Sequence, residues 1–271
     1  MDRLRRRMGR AAIFATLSLV GVVMLFPFGL MALLAFRSFD QYIAGTGFSL
    51  ESWQILFATI PVLQQLVNST IITAGAVGII IVVSTMGGYA FAKLGFRGSS
   101  LVLLAVLAGM MVPLQSIIIP EFVNVSQAGL INQFLGAIVV YAALGAPFAT
   151  YLMTTYFRGV PTDLIEASLM DGASFWQIFT KVMLPMGVPA IVTVAVLQVI
   201  QVWDDLLVGL LFLQTPNVRT ITVGLATLQT SRMVNVPALM AGSLVSALPA
   251  IVVYLIFQRH LVRGLTMGIG R

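Results

Sequence analysis

Three observations predict an all-α membrane protein of six transmembrane helices. Hydrophobic residues fill 59% of the 271 positions and charged residues only 9%, a mixture that a water-soluble fold with a charged surface does not use. Six apolar stretches, each long enough to cross about 30 Å of hydrocarbon, account for nearly the whole chain. Lysine and arginine gather in alternate connecting segments, which is the pattern that fixes orientation in a bilayer. No stretch is left over for a large soluble domain, so residues 1–271 read as one transmembrane domain.

The first stretch, Ala11 to Phe36, follows the basic segment Arg3, Arg5, Arg6, Arg7 and Arg10. It is too long for the apolar core of a cleaved leader and reads as an uncleaved first span. The second and third stretches are Leu66 to Phe91 and Leu101 to Ile119. The fourth, Ile131 to Phe157, is interrupted by Gly145 and Pro147, and the fifth, Met186 to Leu213, by the acidic pair Asp204 and Asp205. The sixth is Ala238 to Phe257. With the N-terminus inside, inner segments hold twelve of the fifteen basic residues: the five N-terminal arginines, Lys93, Arg97, Arg158, Lys181, Arg259, Arg263 and Arg271. Outer loops hold Arg37, Arg219 and Arg232, so both termini are expected to be cytoplasmic. The loop from Arg37 to Gln65, with Trp53 and an amphipathic run through Phe57, is either an outer-surface helix or a plain connector.

Several functions are excluded early. The chain has no cysteine and a single histidine, His260, so thiolate chemistry and a histidine-based metal site have no residues to use. The formal charge of +6 lies beside apolar segments, where it serves topology rather than a nucleic-acid partner. No Gly-x-x-x-x-Gly-Lys-Ser/Thr phosphate loop occurs, and no nucleophile, base and orienting group fall at catalytic spacing.

The inner loop 158–185 is punctuated as two short helices. Pro161 suits a first helical turn, Asp163 and Glu166 favour a helix N-terminus, and Gly172 suits a left-handed stop. Ser174 and Gln177 form a capping-box pattern for a second helix, whose Phe175, Ile178, Phe179 and Val182 recur on one face. Pro185 is expected to stop that helix before the fifth span.

Glu166-Ala167-Ser168, followed by Asp171-Gly172-Ala173 and Leu184-Pro185, resembles the EAA loop of binding-protein-dependent ABC importer permeases. The chain has Ser168 where the usual motif has its third small residue. Asn68-Ser69-Thr70, Gln115, Pro120, Trp203-Asp204, Phe257-Gln258-Arg259 and Gly264-Leu265-Thr266 are similar to the carbohydrate-uptake branch, in particular the maltose-type second permease. That branch often has Trp-Asn at Trp203-Asp204 and Gly-x-Val-Lys-Gly where this chain has Gly268-Ile269-Gly270-Arg271.

The resemblance implies a bacterial cytoplasmic-membrane permease, without catalysis or a cofactor of its own, working by alternating access. Its partners would be two copies of a cytoplasmic ATPase that holds ATP and Mg, a second and non-identical permease, an extracytoplasmic binding protein or lipoprotein, and membrane lipid. Glu166, Ala167, Ser168, Asp171, Gly172, Ala173 and Pro185 would form the coupling helix region docked on the ATPase, lying in the cytoplasm between spans four and five. The solute would be a sugar or related polyol; a non-sugar solute, or an ion-coupled secondary transporter, are the other readings. A carboxylate near a span centre costs roughly 2.5 to 3.5 kcal/mol on insertion scales, so Asp204 and Asp205 are expected to avoid lipid. Asp204 is expected to line the solute path with Trp203 stacking on a sugar ring, and Asp205, about 100° round the helix, to act mainly in folding; Gln115 and Gln201 are further pathway candidates. The same acids could instead bond to neighbouring helices or mark a break in the span.

Overall fold

The structure is a computed structural model that describes residues 2–229 and 234–266. Arg232 and Gly268 to Arg271 lie outside the described residues, as do the side chains of Arg3, Arg5, Arg6, Arg7, His260 and Arg263. Helices and loops make up everything described, with no strand among the described residues. In chain order the helices are α1 (Asp2–Ala35), α2 (Phe39–Ala44), α3 (Glu51–Thr59), α4 (Val62–Lys93), α5 (Ser99–Gly109), α6 (Leu114–Gln127) and α7 (Phe134–Arg158). They continue as α8 (Asp163–Met170), α9 (Phe175–Ile178), α10 (Leu184–Asp204), α11 (Leu207–Phe212), α12 (Ile221–Thr227) and α13 (Val236–Thr266). Among the described residues five helices are long and apolar enough to cross a membrane alone, and α5 with α6, bent by 94° at the break between them, makes a sixth crossing if the pair is one span.

The chain divides into two compact units. One comprises Met1–Val62 with Leu225–Ala247, the other Leu63–Gly224 with Leu248–Arg271. Within the first, the segment from Arg37 to Gln65 is more than a plain connector, since it holds the helices α2 and α3. Ser38 caps α2 in a capping box with Gln41, Ser52 Oγ donates to the Ala35 carbonyl at 2.5 Å, and Leu56 is fully buried. Phe36 stacks on Phe48 with centroids 5.4 Å apart and also meets Trp53, so this segment is held by packing rather than by turn chemistry alone.

In the second unit, α4 can lie close against α7 because it presents small residues there. A Cβ on Gly88 would fall 2.6 Å from that of Met153, and one on Gly75 would fall 2.8 Å from Ile138 Cδ1. α7 runs unbroken through Gly145 and Pro147, the expected interruptions, because span burial outweighs the one hydrogen bond that Pro147 cannot donate.

The third and fifth spans depart from expectation. Leu101 to Ile119 is not one rod: α5 ends at Gly109 and α6 starts at Leu114, with a 94° bend between them. Pro113 holds an extended conformation (φ −67°, ψ 136°), and a proline also disfavours helix at the residue before it, here Val112. The fifth span starts earlier and ends earlier than Met186 to Leu213. Pro185 does not stop a helix. Phe175–Asp204 is continuous over 30 residues, because residues Phe179–Met183 widen into a π-helical turn. In a regular helix the Pro185 ring would press on the Lys181 carbonyl; the extra residue of the π turn absorbs that misfit. At the other end Asp205 turns extended (ψ 133°) and the chain resumes helix only at Leu207.

Orientation is open to direct measurement in a chain without cysteine. Single cysteines introduced near Arg97 and Gln177 are expected to react with membrane-impermeant maleimide only in inverted vesicles, and those near Trp53, Gln127 and Asn217 only from outside. Labelling of the Gln177 position from outside would reverse the topology.

Candidate functional site: a coupling hairpin and a membrane cavity

In the loop 158–185 the first expected helix forms as α8, beginning at Asp163 just after Pro161 rather than with Pro161 in its first turn, while the second is not a separate helix but the start of the continuous helix Phe175–Asp204. Gly172 sits at φ +79°, its N–H donates to Leu169 O at 3.0 Å, and Ala173 N–H donates to Ser168 O at 3.0 Å. This double closure satisfies carbonyls that the end of α8 would otherwise leave bare, and it needs the left-handed residue in the middle. Ser174 N–H then donates to Gln177 Oε1 at 2.8 Å and Gln177 N–H to Ser174 Oγ at 3.3 Å, the expected capping box.

Anchors tie the hairpin to the spans. Ile165, Ile178, Phe179 and Met183 are buried in a cluster with Tyr89 of α4 and Met153 and Phe157 of α7. Lys93 Nζ donates to Val160 O at 2.6 Å, and Tyr89 OH to Phe175 O at 3.3 Å. Glu166, Ala167, Asp171 and Gly172 remain exposed, Ser168 and Ala173 are half-buried, and Pro185 is exposed where the hairpin joins α10. Phe175, expected on the packed face, instead leaves its ring outside with Trp176 and Met170, the last 89% exposed. Exposed apolar side chains gathered on this hairpin form a surface suited to a protein partner.

A second feature is a cavity of about 620 Å³ walled by α5, α6, α7 and α10. Its polar wall consists of Glu121, Tyr141, Gln198, Gln201 and Asp205. Gln198 and Gln201, three residues apart, share one face of α10, and Asp205, the extended residue that follows the helix, joins them on the wall. Asp205 Oδ1 accepts from Tyr141 OH at 2.9 Å and from Val208 N–H at 2.9 Å, and its backbone carbonyl accepts from Thr222 Oγ1 at 3.0 Å. One carboxylate oxygen therefore pins the break between α10 and α11. Gln198 is 1% exposed, and neither its Nε2 nor its Oε1 has a protein partner, which costs about 1–3 kcal/mol if nothing else occupies the amide. Gly145 makes room for it, since a Cβ there would collide with Gln198 Oε1.

The pathway residues expected from sequence are only partly brought together. Gln201 lines the cavity. Gln115 and Asp204 are exposed on the single chain and are not on its wall. Trp203 is 5% exposed and also off the wall. Helix α10 ends at Asp204, and the carboxylate on the cavity wall is that of Asp205, which also holds the break between α10 and α11 as its expected folding role requires. Glu121 escaped notice because it lies beyond the apolar stretch that ended at Ile119, on the helix the 94° bend redirects. Gln198 was hidden inside an apolar run; its three-residue spacing to Gln201 was the available signal.

The Asn68-Ser69 pair acquires a concrete job. Asn68 Nδ2 donates to the carbonyls of Asn217 and Arg219, both at 3.0 Å, and Ser69 Oγ accepts from Ile221 N–H at 2.9 Å. On the same loop Asn132, at φ 59°, accepts from Gln214 and Thr215 N–H through Oδ1. Side chains thus replace the missing secondary structure across residues 213–220.

Comparison with known proteins agrees with this geometry. Residues 84–267 match the family described as binding-protein-dependent transport system inner membrane component. The chain is 39% identical over 206 residues to the osmoprotective compounds uptake permease protein of Synechocystis sp., covering 76% of this chain and 69% of that one. It is 37% identical over 212 residues to the trehalose transport system permease protein of Mycobacterium tuberculosis, covering 75% and 77%. In fold it is similar to a chain of a bacterial ABC transporter involved in the import of the acidic polysaccharide alginate, with a TM-score of 0.77, 21% identity, and coverage of 93% of this chain and 96% of that one. With five apolar helices long enough to cross a membrane, the bent α5–α6 pair, and a family match spanning both the hairpin and the cavity's α10 wall, this chain belongs to the binding-protein-dependent inner membrane components, the multi-pass permeases of ABC importers.

Proposed function

We propose that this chain is the permease through which an ABC importer passes a sugar or related polyol. The observation that carries the reading is the unbroken helix Phe175–Asp204, which joins the exposed hairpin at one end to the polar cavity at the other. Relatives named for trehalose and for osmoprotective compounds support the solute class. The hairpin, with Glu166, Ala167, Ser168, Asp171, Gly172 and Ala173, docks on a cytoplasmic ATPase that binds ATP and Mg; this chain hydrolyses nothing itself. Two ATPase copies, a second, non-identical permease and an extracytoplasmic binding protein complete the importer. Gln201 belongs to the solute path; Asp204 and Gln115, exposed on the single chain, would meet the second permease. Pro185 sets the π turn through which the hairpin enters α10.

Reconstitution tests this. Proteoliposomes holding the assembled importer should accumulate radiolabelled trehalose only with ATP and binding protein present, and native mass spectrometry should show two ATPases per permease pair. Uptake driven by a proton gradient without ATP would establish an ion-coupled carrier instead.

A further inference from the structure

The helix Phe175–Asp204 has a packed face on each side of its π turn. Beyond the turn the face is Met183, Gly187, Ala190 and Val194, all buried. Spaced by four, three and four residues, they stay within about 40° of Met183 on a regular helix. Gly187 fixes that setting closely, because a Cβ there would lie 2.8 Å from Phe157 Cε1 of α7. Before the turn, Ile178 is as completely buried as Met183, both at 0% exposure, and sits in the same cluster. Five residues of regular helix would instead point Ile178 about 140° away from Met183, out of that cluster.

The π turn removes the conflict. Leu184 N–H donates to Phe179 O, five residues back rather than four, so the turn holds one residue more than a regular one. The surplus residue rotates everything before it back by about 100°, which leaves Ile178 about 40° from Met183. Each side is then pinned to a different neighbour. Tyr89 OH of α4 donates to Phe175 O at 3.3 Å before the turn, and Tyr156 OH of α7 donates to Met186 O at 2.8 Å after it. Pro185 keeps the surplus residue at this place, since a regular turn here would press its ring on the Lys181 carbonyl.

We propose that Pro185 is a positioning residue for coupling. By holding one surplus residue in the turn Phe179–Met183, it sets the rotation of the hairpin about the α10 axis, and with it the side of α8 that meets the ATPase. The coupling role rests on the hairpin being the ATPase dock; the register does not.

Thr180 is the residue to remove, because its hydroxyl bonds the Trp176 and Gln177 carbonyls of its own helix, at 2.9 and 3.4 Å. Its deletion leaves Lys181 four residues before Pro185. With Pro185 in place the turn stays wide, and the hairpin swings by about 100°. With Pro185→Ala the shortened segment closes as regular helix and Ile178 returns to the cluster. In the purified, assembled importer, deletion of Thr180 alone is expected to lower ATP hydrolysis stimulated by trehalose and binding protein by about tenfold or more. Adding Pro185→Ala to the deletion should restore it to within about threefold of the parent.

The register is read separately. The chain has no cysteine, so Ile178→Cys supplies one thiol, whose reaction with N-ethylmaleimide is followed on the labelled peptide by mass spectrometry and scaled to that of the denatured chain. Labelling should be about tenfold faster in the deletion alone than in the parent or the rescued variant. A deletion that couples as well with Pro185 as with alanine there, or one that alanine fails to rescue, overturns the positioning role. Equal protection of the thiol in all three backgrounds does the same. A parent importer without stimulation overturns the transport reading, and the thiol pattern alone then decides the register.

Discussion

Gly172→Val is expected to abolish solute-stimulated ATP hydrolysis in the assembled importer, lowering it at least tenfold while leaving membrane insertion intact. The backbone at Gly172 is left-handed, φ +79°, and the double carbonyl closure of α8 depends on it. A β-branched side chain in that conformation is strained by about 1–2 kcal/mol or more, enough to release a short surface hairpin from its bound shape. Nothing in the chain lies within 4 Å of a Cβ at this position, so the loss comes from the turn and from contact with the ATPase rather than from a clash inside the permease. Gly172→Asn separates the two, because asparagine accepts left-handed backbone. It should keep much of the coupling if the turn is what matters. Wild-type stimulation in a Gly172→Val complex purified through its ATPase would sink the coupling assignment.

Asp205→Ala is expected to destabilise the permease by about 2–4 kcal/mol, the sum of a stranded Tyr141 hydroxyl and a lost cap on Val208 N–H. The readout is the thermal midpoint and monodisperse yield of the complex in detergent. Tyr141→Phe, which removes one of the two bonds, should cost about half as much. Asp205→Asn retains an acceptor at Oδ1 and should recover most of the stability. An Asp205→Ala complex as stable as the parent would mean that the break between α10 and α11 is held by other contacts.

What could be read from sequence followed the distance over which each signal acts. Apolar length and basic flanks are properties of contiguous residues, and α1, α4, α7 and α13 all contain or closely match the expected stretches. Caps are equally local, so Gly172, Ser174 and Gln177 behaved as expected. Prolines were harder, because their effect depends on what surrounds them. Pro147 is absorbed within a helix, Pro113 marks a 94° bend, and Pro185 is accommodated by a π turn. The cavity was the least legible. Its wall draws on α5, α6, α7 and α10, and hydropathy cannot tell whether an isolated Glu121 or Gln198 faces lipid, protein or water. Asp204 and Asp205 were conspicuous as a pair, but the choice between them turned on the residue at which α10 ends.

The continuous helix Phe175–Asp204 also makes the molecule a lever. Thirty residues at 1.5 Å each give an arm of about 45 Å. Tilting that arm by about 10° around its hairpin end sweeps the other end through about 8 Å, comparable to the width of a hexose. A hinge at Pro185 would have dissipated such a motion in local bending. The π turn keeps the rod continuous past the proline, so on the proposed function a small rotation of an ATPase docked at the hairpin would become a displacement at the cavity wall large enough to open or close it.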